Sequence, residues 1–415
     1  MNKNLFSRNF IFLLIGQTLS MFGSNIIRFA ISLYILDETE SAAIYGTITA
    51  VSYLPSIIFS PLGGIMADRG DKKSLMVLLD VTYGVITLIM GIIFGKRGSF
   101  KLIAGLLIAL STIASVERPI SSACVPLLQS KDNLMRANAF SNQISSVSGL
   151  VTPFFSGFLY GVAGANGLHY IMYLCSAFFI FSAGIELLLK IPKLQLTDYD
   201  TLAETVKCDL EDVLRLVFKD KRYIGETMFL NGLLMFLVTP YLSIGMTYLI
   251  SVKLWLPAIW NGSAQLIAGI AAILGGTVAA LISGKFQTKN VYKFLIVMGL
   301  SFVILTPALF GNMSPYVAFV VVSMTSAAIL FMANLAGVFI ISGMQKACPK
   351  NMIGRLMAFF EACNNLALPI GIWLHGIIYE KCDERLYVVF WIIAVLTMLG
   401  AARGKKVYLR LQESS

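Results

Sequence analysis

The sequence predicts an all-α membrane protein of twelve transmembrane helices, arranged as two pseudo-symmetric six-helix bundles. Three observations predict it. About twelve long apolar runs alternate with short polar breaks; hydrophobic residues make up 57% of the 415-residue chain and charged residues 13%, with a mean hydropathy of +0.79. A soluble domain carries roughly 25% charged residues. Cationic residues gather in alternate breaks. A short residue pattern recurs at one fixed separation in two of the runs.

A run of about 20 apolar residues at 1.5 Å rise crosses a bilayer core of roughly 30 Å. Inside that core each backbone amide needs an internal partner, so the runs are expected to be helices. They fall near 9–36, 42–66, 74–95, 101–127, 137–163, 167–189, 223–251, 256–283, 291–311, 315–345, 352–379 and 386–402. The first run is too long for a signal-peptide core and lacks a small-residue cleavage site, so it is expected to stay as the first span. The one long polar insertion, near Pro192 to Arg222, carries Asp198, Asp200, Glu204, Asp209, Glu211 and Asp212 before Arg215, Lys219, Lys221 and Arg222. Within it Leu210, Val213, Leu214, Val217 and Phe218 recur at helical spacing, which fits either an amphipathic surface helix or a solvated linker. The expected organisation is an N-terminal bundle over 1–190, a linker over 191–222, a C-terminal bundle over 223–402 and a tail over 403–415.

An internal match supports two equivalent halves. Arg136, Ala139 and Phe140 begin the fifth span, and Gly157 and Tyr160 end it. Arg355, Ala358, Phe359, Gly376 and Tyr379 lie at the corresponding places of the eleventh, each 219 residues later. Pro153 and Pro369 lie inside these two spans and are expected to kink them. Parallel repeats of this kind suit a transporter with its site between the halves.

The net charge of +10 could indicate a nucleic-acid partner, but its distribution argues against one. With an even number of spans, Lys3, Arg8, Arg69, Lys72, Lys73, Lys131, Arg136, the linker cations, Lys285, Lys289, Lys293, Lys346, Lys350, Arg355, Arg403, Lys405, Lys406 and Arg410 share one side. Only Lys96, Arg97, Lys101, Lys253, Lys381 and Arg385 occupy the other. The crowded side is then cytoplasmic and holds both termini.

Enzymatic and cofactor chemistry find little footing. Six cysteines are scattered without a CxxC pair, and neither His169 nor His375 has a ligand neighbour at metal-binding spacing. No metal site, disulfide framework or cofactor is expected. A phosphate-binding loop needs G-x-x-x-x-G-K-[ST], and the string Gly91-Ile-Ile-Phe-Gly95-Lys96-Arg97 has the wrong spacing and ending.

The break after the second span reads Gly63-Gly64-Ile65-Met66-Ala67-Asp68-Arg69-Gly70-Asp71-Lys72-Lys73. Gly64 permits close helix approach, Asp68 can cap the next helix, a favourable place for an anion, and Lys72 and Lys73 hold the loop on the basic side. This string resembles the loop signature of the major facilitator superfamily, G-x-L-A-D-R-x-G-R-K, with Met66 in place of Leu and Asp71 where the family usually has Gly. Leu134-Met-Arg136-Ala-Asn138-Ala, Pro349-Lys-Asn-Met-Ile-Gly354-Arg355-Leu-Met-Ala and Asp80 look like the macrolide-efflux-like, drug:proton antiporter branch. The resemblance implies that Gly64, Asp68, Arg69, Lys72 and Lys73 form a gating loop, with Asp68 as its latch. The corresponding second-half loop, Gly284-Lys-Phe-Gln-Thr-Lys289, has lost the acid. Ser148, Thr152, Pro153, Ser156 and Gly157 are similar to the antiporter signature g-x-x-x-G-P-x-x-G-G, with glycines replaced by Ser or Thr; tight helix packing explains the same residues.

Ionisable groups inside spans usually face a cavity or a partner. Arg28 shares a face of span one with Gln17, Ser20, Ser24 and Ser32. Span four offers Ser111, Ser115, Arg118 and Ser122, with Glu117 beside Arg118. The resemblance places spans one, four, seven and ten around the cavity, which adds Thr227, Asn231, Thr239, Ser326 and Asn334. Substrate-cavity candidates are Gln17, Ser24, Arg28, Ser115, Glu117, Arg118, Thr227, Asn231 and Asn334. Arg28 can instead snorkel to the interface, and Glu117 and Arg118 can form a local ion pair. Candidates for proton exchange are Glu117, Glu361 and Asp80, with an interfacial ion pair as the other reading of Asp80; Glu186 and Glu226 read as interfacial anchors. The resulting expectation is a monomeric transporter among bacterial cytoplasmic-membrane lipids, exporting an amphipathic drug such as a macrolide against protons by alternating access. A siderophore or lysophospholipid transporter is the rival, and a non-transporting receptor that kept the fold is a further one.

Overall fold

The computed structural model describes residues 5–94, 100–191, 211–282, 287–310, 313–349 and 352–413. Among the described residues there is no strand, and twelve helices are long and apolar enough to cross a membrane. They are α1 (Arg8–Thr39), α2 (Ala42–Arg69), α3 (Lys72–Phe94), α4 (Phe100–Leu128), α5 (Lys131–Ala163), α6 (Leu168–Glu186), α7 (Arg222–Lys253), α8 (Ala258–Ile282), α9 (Thr288–Leu309), α10 (Pro315–Ala347), α11 (Ile353–Lys381) and α12 (Leu386–Glu413).

Local chemistry sets several of their ends. The Ser7 hydroxyl accepts the Phe10 N–H at 3.3 Å and starts α1. Ser314 accepts the Val317 N–H at 3.4 Å, with Pro315 in the first turn where no amide donor is needed, and starts α10. Gly164, at φ 66°, stops α5 in a conformation that a side chain disfavours. Pro240 removes an amide donor inside α7, and the helix widens into π turns at Tyr241–Gly245 and Leu249–Lys253. Pro153 and Pro369 lie within α5 and α11, and both helices continue past them.

The chain packs as two units. One comprises Met1–Ser41, Ile48–Thr197 and Pro257–Ser263; the other comprises Ala42–Thr47, Asp198–Leu256 and Ala264–Ser415. In the first, α6 lies against α1 and α3. The Ser176 hydroxyl donates to the Gly84 carbonyl at 2.7 Å, the Tyr83 and Phe179 rings stack at 4.5 Å, and the Ser156 hydroxyl of α5 donates to the Ile26 carbonyl of α1 at 2.8 Å. Small residues and interhelical hydrogen bonds replace hydrophobic burial as the adhesive in lipid. In the second unit α9 packs on α12 and α7 on α11, around the rings of Tyr241, Phe302, Tyr379 and Phe390. The repeated positions behave alike. Tyr160 and Tyr379 are both buried. A Cβ on Gly157 would stand 2.8 Å from the Ala258 carbonyl oxygen, and one on Gly376 would stand 2.7 Å from that of Ala42.

Four details differ from the sequence expectation. The helix expected to end at 402 runs on to Glu413, because Val407, Tyr408 and Leu411 recur at three- and four-residue steps and are buried. Residues 211–220 are helical and close on a π turn, whereas 192–210 lie outside the described residues. Asp68 falls in the last turn of α2, so Asp71, not Asp68, precedes α3. The Asp71 carboxylate accepts the Ser74 hydroxyl at 2.7 Å, and its carbonyl accepts the Leu75 N–H at 2.9 Å. The fifth helix begins at Lys131, six residues earlier than 137.

Candidate functional site

In the first unit, helices α1, α3, α4 and α6 turn polar side chains inward within an otherwise apolar bundle. Asp80 of α3 is 0% exposed. The Ser20 hydroxyl lies 2.9 Å from Asp80 Oδ1 and 3.1 Å from Glu117 Oε1. One hydroxyl carries one proton, so it can donate to one carboxylate only. Both short contacts are hydrogen bonds together when one carboxyl is protonated and donates to Ser20 Oγ. The arrangement can therefore hold one proton between two acids. Neither acid forms an ion pair among the described residues.

Glu186 closes the same cluster from α6. It is 1% exposed and one carboxyl oxygen has no described hydrogen-bond partner. Its room comes from Gly16: a Cβ there would stand 3.1 Å from Glu186 Cγ. Ser182, one turn earlier on α6, donates to the Gly16 carbonyl at 2.9 Å and fixes that crossing. The interfacial-anchor expectation for Glu186 is thus corrected; it sits beneath α1 because a glycine faces it.

The remaining candidates separate by position. Arg28 is half-buried and its Nη1 donates to Ser111 Oγ at 2.9 Å, so it reaches across to α4 and does not snorkel. Gln17 hydrogen-bonds Ser121 on α4. The hydroxyls of Ser24 and Ser115 turn back to the carbonyls of Met21 and Thr112. Arg118 is exposed. Lys72 is buried and Lys73 half-buried; the side chains of Gly64, Asp68 and Arg69 lie outside the described residues.

The second unit holds a cavity of 680 Å³ bounded by α7, α9 and α10. Its lining is mostly Leu, Met, Val and Ile, interrupted by Asn231, Thr239, Asn334, Ser342 and Gln345. Small-molecule sites commonly occupy roughly 300–1,000 Å³ and combine such walls with a few polar groups. Asn231 Nδ2 donates to Asn364 Oδ1 of α11 at 3.0 Å. Asn334 is exposed and donates to the Leu330 carbonyl one turn back. Thr227 is buried, donates to the Tyr223 carbonyl and does not line the cavity. Glu361 is exposed. Among the described residues no group of three or more His, Cys, Asp or Glu side chains could hold a metal ion.

A family model described as Major Facilitator Superfamily matches residues 13–352. The chain belongs to this superfamily. Macrolide efflux protein A of Streptococcus pyogenes is 27% identical over 154 residues, which is 37% of this chain and 38% of that protein. The chain thus matches well under half the length of that relative. Macrolide efflux protein A of Enterococcus faecalis is 23% identical over 336 residues, covering 79% of this chain and 98% of that protein. Among solved structures, a bacterial homologue of the human lysosomal transporter Spinster, in an inward-facing and unoccupied conformation, superposes with a TM-score of 0.76 at 14% identity. That match covers 100% of this chain and 99% of the other. This likeness establishes the fold. The molecule is accordingly a multi-pass membrane protein of the major facilitator superfamily.

Within this facilitator, sequence reasoning named Asp80, Glu117 and Glu361 as separate proton-exchange candidates, read Glu186 as an interfacial anchor and missed the place of Ser20 between Asp80 and Glu117. The available signal was a matched spacing: Gly16 and Ser20 on α1, and Ser182 and Glu186 on α6, each lie four residues apart and so share one face.

Proposed function

We propose that this transporter exports an amphipathic small molecule, a macrolide or chemically similar drug, by proton antiport through alternating access. The carrying observation is the Ser20-bridged pair Asp80–Glu117, a buried place where one proton can be held or released. Glu117 is the proton carrier in this reading, Asp80 shares its proton, and Arg28 tunes the pair from the same bundle. The 680 Å³ cavity supports an amphipathic cargo, because its apolar walls with Asn231, Thr239 and Asn334 suit a large molecule of few charges. Likeness to the two efflux proteins supports the macrolide class and the outward direction. The cationic bias of alternate breaks supports both termini inside, likeness to the two bacterial efflux proteins supports a bacterial cytoplasmic membrane, and a monomer suffices for the mechanism.

The test is accumulation of a labelled macrolide in inverted vesicles carrying the full chain. An imposed proton gradient drives uptake, and Glu117→Gln abolishes the gradient dependence while leaving downhill exchange. Accumulation that persists after the gradient is collapsed rules out proton antiport. Absence of macrolide movement together with gradient-driven movement of a lysophospholipid transfers the mechanism to that substrate.

A further inference from the structure

We propose that a groove at the basic end of the second unit binds one anionic phospholipid through Arg222 and Arg403. The groove encloses 490 Å³ between residues 217–218, the first turns of α7, and α12. Its floor is fixed by contact: a Cβ on Gly225 would stand 2.7 Å from the Val217 carbonyl oxygen, so only glycine lets the preceding turn lie on α7. Its walls include Phe218 and Phe229, which are 66% and 72% exposed. Arg222 opens α7, and Arg403 follows the last long apolar run of α12, so both mark the level where two adjacent spans leave the hydrocarbon.

Three neighbouring cations are already engaged. Arg215 pairs with Asp220 at 3.9 Å, Arg355 with Asp212 at 3.1 Å, and Lys221 Nζ donates to the Ala347 carbonyl at 2.6 Å. Arg222 and Arg403 line the groove and form no ion pair among the described residues. Glu226, one turn along α7, lines it too and is likewise without an ion pair. Two guanidinium groups and one carboxylate leave one net positive charge. A phosphodiester supplies the matching negative charge in a geometry that guanidinium recognises. Glu226 accepts from a headgroup hydroxyl, and the acyl chains run along Phe229 toward the hydrocarbon. A glycerol headgroup meets all three demands, whereas an ethanolamine headgroup leaves the net charge unmatched. Basic pockets at the ends of spans bind anionic headgroups in this manner.

Native mass spectrometry of the detergent-solubilised full chain, titrated with phosphatidylglycerol, phosphatidylethanolamine or phosphatidylcholine of identical acyl chains, tests the proposal. One phosphatidylglycerol is expected to be retained in preference to either zwitterionic lipid. Arg222→Gln combined with Arg403→Gln is expected to weaken it about 30-fold, while Lys406→Gln, outside the groove, leaves it unchanged. Glycerol 3-phosphate at the same concentration is expected not to displace it. Equal retention of phosphatidylethanolamine by the unaltered chain overturns the proposal without recourse to any variant, as does undiminished phosphatidylglycerol binding by a monodisperse double variant. Displacement by glycerol 3-phosphate reassigns the groove to a soluble phosphate and overturns it as well.

Discussion

Replacing Ser20 with Ala takes away the one hydroxyl that Asp80 and Glu117 share at 2.9 and 3.1 Å. Asp80 is fully buried, and its other carboxyl oxygen has no described partner. The neighbouring Ser182 already donates to the Gly16 carbonyl. The variant therefore leaves buried carboxyl oxygens unmet, at a cost of roughly 1–3 kcal/mol. A double-mutant cycle isolates the contact. Asp80→Asn introduced into the Ser20→Ala background should cost about 1–2 kcal/mol less than in the unaltered chain, in the range for groups sharing one network. Glu117→Gln should couple to Ser20 with the same sign. The readout is unfolding by dodecyl sulfate in mixed micelles, followed by circular dichroism at one pH. Additivity of the single changes to within about 0.5 kcal/mol would mean that Ser20 does not bridge the acids, and the shared-proton reading would fall with it.

Other perturbations address packing, cavity and surface. Gly376→Ala puts a Cβ 2.7 Å from the Ala42 carbonyl oxygen and 3.1 Å from Gly46 Cα; a loss of about 1–3 kcal/mol is expected in the same unfolding assay. Gly105→Ala, with nothing within 4 Å of the new carbon, should instead stabilise α4 by about 0.5–1 kcal/mol. Asn364→Leu strands the Asn231 amide beside the cavity, and macrolide kcat/KM measured by vesicle transport should fall about tenfold. Asp383→Asn breaks a partly exposed pair with Lys253 and weakens the acceptor that Tyr248 approaches at 2.6 Å. Its cost should be about 1 kcal/mol or less and shrink as salt is raised, which a thermal-unfolding series in sodium chloride measures.

The spans were legible because a membrane crossing demands an uninterrupted apolar run, and the loop ending in Lys72-Lys73 carried the family. The polar core was legible only in part. Glu117 and Arg118 are adjacent in sequence but point about 100° apart around a helix, so one reaches Ser20 and the other is exposed. Glu186 read as an interfacial residue because it ends an apolar run; its burial depends on Gly16 of a helix 170 residues earlier, a pairing visible only once α1 lies on α6. The continuation of α12 was hidden by charge: Arg403, Lys405, Lys406 and Arg410 end the apolar run, yet they interleave with Val407, Tyr408 and Leu411, which pack inward. Hydropathy averages over a window, whereas burial follows one face.

Residues 211–221 are fastened at three points, through Asp212 to Arg355 at the start of α11, through Val217 against Gly225 of α7, and through Lys221 to the last carbonyl of α10. Any load applied to this segment is delivered to three spans at once. A fluorophore or spin label placed on an outward position such as Lys219 would therefore report the displacement of the second unit as a body, with little contribution from its own local wobble, and a binder raised against the segment would act as a handle on that whole unit.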